Sequence, residues 1–215
     1  MFGTHDLALF VISGLLLNMA PGPDSLLIMT RSATQGWRAG SAAALGIGTG
    51  TFVHIFAAAL GLSAVLATSS TAFAIVKYAG AAYLLYGGIG LLRSKNKRAT
   101  AAAEAPPAIL PSLSYRRIFA QGFLTNVLNP KVAVFFLAFV PQFIEPHAPN
   151  KALAFIALGC IFNFNGMLWC NFLAVSSAFA SQRIQASESV ARWLNRAIGA
   201  VFVSFGIKLA LAERS

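Results

Sequence analysis

Six stretches of this chain are apolar over lengths that cross a bilayer: approximately 6–29, 40–66, 71–92, 117–140, 151–178 and 193–211. A membrane-spanning helix needs roughly 20 such residues, so each stretch predicts one span. The longest polar segment, "RSKNKRATAAAEAPPAILPSLSYRR" at 93–117, carries Pro, Ala and charges that mark a linker. Two spans are not plain. Span 1 contains "LNMAPGPDSLL" (17–27), and span 4 contains "LTNVLNPKVAVFF" (124–136).

Proline lacks an amide proton and clashes with the preceding helical turn. It also pushes its predecessor toward an extended backbone. Pro21 and Pro23 should therefore break span 1 near 20–23, and Pro130 should break span 4. A break facing lipid would leave backbone groups without partners, at several kcal/mol each, so both breaks should face protein or a water-filled cavity. Asn129 is a good N-cap and Pro130 suits a first helical position, so a fresh half-helix should start there. A charge follows each break: Asp24 after Pro23, and Lys131 after Pro130. These are the two charges that fall well inside the apolar slab, and intramembrane charges mark function by default. A lysine beside a helix N-terminus opposes the helix dipole, yet with the free amides it makes a place for an anion such as a carboxylate. An ammonium near Asp24 and a carboxylate near Lys131 would suit a zwitterionic amino acid. Without substrate the two charges could pair with each other.

Matches across the two halves add a repeat. Gly80, Tyr83, Tyr86 and Gly87 of span 3 match Gly199, Phe202, Phe205 and Gly206 of span 6. Gly46 of span 2 matches Gly159 of span 5, and Pro23-Asp24 matches Pro130-Lys131. Three spans per repeat is odd, so the second repeat enters the membrane from the opposite side. Inverted repeats with interrupted helices at the midplane are a recurring transporter design. The expectation is an all-α integral membrane protein of six helices. It comprises a first repeat over 1–92, a basic linker over 93–116 and a second repeat over 117–215.

Composition agrees with the pattern. Hydrophobic residues make up 57% of the 215 and charged residues 10%, against about 25% charged in soluble domains. The net charge of +10 comes with no aromatic-basic platform for nucleic acid, and topology explains it better. Eleven of the sixteen Lys and Arg residues, among them Arg31, Arg38, Arg93, Arg116, Arg117 and Arg196, fall in the 1–2, 3–4 and 5–6 connections. Lys77, Lys151, Lys208 and Arg214 fall on the other side. That bias places the three connections in the cytoplasm and both termini outside. The N-terminus lacks a basic n-region, so span 1 is expected to be retained. Cys160 and Cys170 lie ten residues apart on one helix, about 15 Å and too far for a disulfide between them.

Weaker candidates surround the two breaks. Gly46, Gly50 and His54 form one stripe on span 2, and Gly159, Asn163 and Gly166 another on span 5. Glycine stripes allow close helix packing, within the chain or in a homodimer. His54 could relay protons or simply be hydrogen-bonded. Asn163 could bind substrate or bridge helices. Tyr83 and Tyr86 should pack, and Gln142 after Pro141 should sit at the outer mouth. A metal exporter would need several acids, His or Cys converging within the spans, and only Asp24 and His54 are available. An intramembrane enzyme would need a nucleophile with a base, and Ser25 beside Asp24 has no assignable His or Lys partner. No cofactor and no enzymatic activity are expected.

The two motifs carry a family likeness. "NMAPGPDSLLIMTRSATQGWRAGSAAALGIGTG" and "FLTNVLNPKVAVFFLAFVPQFI" resemble the paired signatures of the lysine exporter superfamily, particularly its homoserine/threonine resistance branch (LysE/RhtB). The likeness covers essentially the whole chain. It implies a bacterial inner-membrane exporter of amino acids or their derivatives, of homoserine, threonine or lysine type, driven by the proton gradient. The family often shows Asn-Pro-Gly-Pro. Here Ala20 stands where that Asn would be, with Asn18 two residues earlier. On this reading Asp24, Lys131, Asn129, Asn18, Asn163 and His54 handle substrate and protons, while Pro21, Gly22, Pro23 and Pro130 are hinges.

Overall fold

The computed structural model describes residues 3–62, 70–93, 112–145 and 147–180, together with Arg196, Ala200, Val203, Ser204, Gly206, Ile207, Ala210 and Leu211. Its regular elements are helical: α1 (Leu7–Met19), α2 (Pro23–Gln35), α3 (Trp37–Ala57), α4 (Ser70–Arg93), α5 (Tyr115–Val127), α6 (Pro130–Val134) and α7 (Lys151–Ala180). A wide π-type turn, Ala58–Leu62, extends α3. A second, Phe135–Phe139, and a tight turn, Val140–Phe143, extend α6.

Both predicted breaks are present. Ala20 and Gly22, each before a proline, have ψ 127° and −179°, as a following pyrrolidine ring demands. The axes of α1 and α2 differ by 55°, and those of α5 and the α6 segment by 47°. Trp37–Gly61 and Lys151–Phe179 are each long and apolar enough to cross a membrane, and each bent pair qualifies when taken as one span. With backbone groups satisfied inside helices, this is an all-α integral membrane protein. The described residues of the sixth stretch are helical, and a Cβ on Gly206 would meet Leu85, so that stretch packs against α4. Gly199, Phe202 and Phe205 of the repeat comparison lie outside the described residues, as does 94–111 of the linker.

Two sequence expectations differ from the structure. The apolar run predicts the end of span 1 at residue 29, whereas the helix runs to Gln35 and stops at Gly36, whose φ of 83° makes the reversal into α3. Arg31 is therefore a buried helical residue and not part of a loop. Tyr86, expected to pack, is exposed.

α3 is the central element. It packs on α5, α7 and α2, and its glycines explain how close it comes. A Cβ on Gly46 would strike the Phe119 carbonyl oxygen and the Phe123 amide nitrogen, and one on Gly50 the Phe123 carbonyl oxygen. From the other side, a Cβ on Gly122 would strike the Ala43 carbonyl. On α7, Gly159 faces Ile55 and Gly166 faces Asn18. Both glycine stripes are thus used inside the chain. Gly46→Ala should destabilise the fold by about 1–3 kcal/mol, because the obstacle is backbone and cannot rotate away. Gly90→Ala, with nothing within 4 Å of the new carbon, should cause no loss. Thermal unfolding in detergent compares the two.

Two apolar clusters fill the bundle. One gathers Phe10, Phe135, Phe139, Phe143 and Phe162 around the α1 N-terminus, with Phe135 and Phe162 stacked at 4.4 Å. There the chain ends of the two broken spans are tied: the His5 amide donates to the Phe143 carbonyl at 3.1 Å, and the Glu145 amide to Gly3 at 2.8 Å. The other cluster joins Ile28, Ile47 and Ile118 with small residues of α3 and α7.

Candidate functional site

The two breaks meet. Asp24 stands at the first turn of α2, where the dipole favours a carboxylate. Its Oδ2 accepts from Asn126 Nδ2 at 3.0 Å and Asn129 Nδ2 at 3.1 Å, at the end of α5 and the start of α6. Lys131 stands at the first turn of α6. Its Nζ donates to the carbonyls of Leu17 at 3.2 Å and Ala20 at 3.1 Å, which end α1. The arrangement is reciprocal: the charge that follows each break reaches across to the helix end at the other break.

The local chemistry explains why. The prolines at 21 and 23 free the last carbonyls of α1, which need a donor from outside the helix. A lysine supplies it, and its charge meets the negative end of the α1 dipole, an effect worth up to about 2 kcal/mol when partly buried. A Cβ on Gly22 would sit 3.3 Å from Lys131 Nζ, so the small residue keeps that approach open. Gly22 has φ −166°, ordinary extended backbone, and its role here is space. Asn129 caps α6 by accepting the Lys131 amide at 3.0 Å on its Oδ1. Thr51 Oγ lies 3.3 Å from Asn126 Oδ1 and orients that amide toward Asp24.

The charges do not pair as the sequence suggested. Asp24 is held by two amides and Lys131 by two carbonyls, and no ion pair joins them. Both line one cavity of about 30 Å³, a volume that suits water molecules. Asn18, Ser25, Thr51, Asn126 and Asn163 add polar wall, and Leu17, Ile47, Val132, Phe162 and Met167 add apolar wall. Two buried polar atoms there, Asp24 Oδ1 and Asn18 Nδ2, have no hydrogen-bond partner among the described residues. Leaving such a group unmatched costs about 1–3 kcal/mol.

Asp24, Lys131, Asn18 and Asn163 are thus brought together on one wall, and Asn129 supports them from α6. His54 lies off the wall. Its Nε2 donates to the Asn126 carbonyl at 3.0 Å, and its ring stacks on Phe136. It finishes the end of α5. Gln142 bonds back to the Ala138 carbonyl within its own turn. Sequence reasoning missed Asn126 and Thr51. The signal for Asn126 was a polar amide inside an apolar span, one residue before the end of α5 and close to the break at Pro130. Cys170 lines the cavity, and both cysteines are free. Among the described residues no group of three or more His, Cys, Asp or Glu converges.

Comparison with known proteins places this geometry in context. The LysE type translocator family matches residues 15–213. An uncharacterized membrane protein of Pseudomonas aeruginosa is 32% identical over 213 residues, covering 99% of this chain and 98% of the relative. Proteins named leucine efflux protein in Salmonella choleraesuis and Salmonella typhimurium are 29% identical over 212 residues, with coverage of 99% and 98%. No solved structure matches.

Proposed function

This chain belongs to the LysE type translocator family, and from that premise we propose that it exports small apolar amino acids, leucine first among them, across the bacterial inner membrane in exchange for protons. One observation carries the reading. Two opposite charges, each at the start of a half-helix after a proline break, line one cavity, and the acid keeps an unpartnered oxygen in it. Asp24 Oδ1 takes the substrate ammonium. The third N–H of Lys131 and the Asn18 amide take the carboxylate. Asn163 borders the same space.

The side chain is assigned to the apolar wall. Leu17, Ile47, Val132, Phe162 and Met167 suit a branched aliphatic group, and Asp24 is the one acid among the cavity residues. With Asp24 on the α-ammonium, no carboxylate on that wall remains for the second ammonium of lysine. The relatives named for leucine efflux point the same way.

Transport follows from alternating access. The cavity is too small for leucine, so the bundle widens to admit it. Two inverted three-helix repeats, 1–92 and 117–215 joined by the cytoplasmic linker 93–116, rock about Pro21, Gly22, Pro23 and Pro130. After release outside, a proton neutralises Asp24 and lets the empty carrier return. The positive bias of the 1–2, 3–4 and 5–6 connections sets those loops in the cytoplasm and both termini outside. Inverted vesicles with an imposed proton gradient test the proposal. Leucine uptake should exceed lysine uptake at least tenfold, and an uncoupler should stop it. Preference for lysine, or uptake indifferent to the uncoupler, would overturn it.

A further inference from the structure

We propose that Arg31 forms a second binding point for the substrate carboxylate, a staging site on the cytoplasmic side of the central cavity. The inference rests on the function proposed above and goes beyond it.

Asp24, Ile28, Arg31 and Gln35 lie on one face of α2 at helical spacing. Arg31 is two turns from Asp24, about 10 Å along the axis. It is 7% exposed. Its Nη2 donates to Gln121 Oε1 at 3.0 Å and its Nη1 to Gln35 Oε1 at 3.3 Å, while Nε is buried without a partner. A guanidinium carries five donors and a permanent charge. Among the described residues it meets only neutral amide oxygens. Among the described residues no carboxylate pairs with it: Asp24 is held by Asn126 and Asn129, Asp6 by His5, and Glu145 is exposed. A buried charge without a counter-charge is costly, by several kcal/mol.

The neutral partners are what a transient site requires. A glutamate at 121 would neutralise Arg31 permanently. A glutamine orients the fork and leaves the charge free for an anion. Gln35 is itself held at both ends of its amide, donating to the Leu113 carbonyl at 3.0 Å and accepting the Leu113 amide at 3.2 Å. The guanidinium thus rests on a shelf anchored to the segment entering α5. Between this shelf and the cavity stand the buried side chains of Ile28 and Ile47. One amino acid cannot bridge Arg31 and Asp24 at once. It is held first by its carboxylate at Arg31, and moves inward when the isoleucine plug parts.

Sidedness of the Michaelis constant tests this. In inverted vesicles the Arg31 side faces the medium, and in right-side-out vesicles it faces the lumen. Arg31→Met should raise the leucine KM at least tenfold from the Arg31 side and less than twofold from the other. Gln121→Glu keeps the fold safe by adding an internal carboxylate to the guanidinium. It should raise the thermal midpoint and raise the same-side KM at least fivefold. An unchanged KM in Gln121→Glu, or equal KM rises from both sides in Arg31→Met, would overturn the staging site. So would activity that depends on anionic lipid in the unaltered chain and loses that dependence in Arg31→Met, since the anion would then be a phospholipid headgroup. If the unaltered chain transports no amino acid, the proposed function fails and the staging site with it. Transport by the unaltered chain with flat KM values removes the staging site alone.

Discussion

Asp24→Asn should reduce leucine efflux at least about a hundredfold while leaving a folded protein in the membrane. The loss corresponds to removing one partner of a buried charge interaction, about 3 kcal/mol or more. The fold should survive because asparagine keeps an acceptor. Its side-chain oxygen can still receive the amides of Asn126 and Asn129, which Asp24 Oδ2 receives now. What disappears is the charge and the second oxygen, the one left open toward the cavity. Efflux in vesicles, normalised to protein in the membrane, reads the first effect, and the thermal midpoint reads the second. Transport at the unaltered rate would remove Asp24 from the substrate's path.

Lys131→Met should abolish transport too, but with a different stability signature. The ammonium holds the carbonyls of Leu17 and Ala20, the end of α1. Methionine fills similar space and donates nothing. Two buried carbonyls then lose their outside donor, at about 1–3 kcal/mol each before relaxation. Lys131→Met should therefore unfold at a clearly lower temperature than Asp24→Asn. Equal midpoints for the two variants would contradict the idea that the lysine closes the broken end of α1. The asymmetry follows from what each side chain touches. Asp24 is bound by side-chain amides, which can turn elsewhere. Lys131 is bound by backbone groups, which cannot.

Much of this was legible in the residues. The breaks follow from Pro21, Pro23 and Pro130, and the start of the second half-helix from Asn129 and Pro130, because proline constraints and caps are local. The charges at 24 and 131 stood out because they interrupt apolar runs. The crossing pattern was not legible. Nothing local says that Lys131 serves α1 or that Asp24 is served by Asn126, since these contacts span 111 and 102 residues. The residues alone left open a pairing of the two charges with each other in the absence of substrate, and gave no sign of the partners that hold them instead. Arg31 is expected in a loop for a related reason: it lies where the apolar run of span 1 gives way to polar residues, and the glutamine that receives its guanidinium lies 90 residues away. For His54 the residues left two readings, proton relay or a plain hydrogen bond, and its ring donates to the backbone of Asn126, a partner that local sequence does not reveal.

Ligand truncation tests the central claim most directly. The claim is that Asp24 binds the ammonium and Lys131 the carboxylate of one substrate in one cavity. Calorimetry on purified protein compares leucine with isocaproate, which lacks the ammonium, and with isoamylamine, which lacks the carboxylate. The unaltered protein should prefer leucine to both. Asp24→Asn should bind leucine and isocaproate alike yet still favour leucine over isoamylamine, and Lys131→Met should show the converse. If Asp24→Asn still discriminates leucine from isocaproate as well as the unaltered protein does, the ammonium is bound elsewhere and the account is wrong.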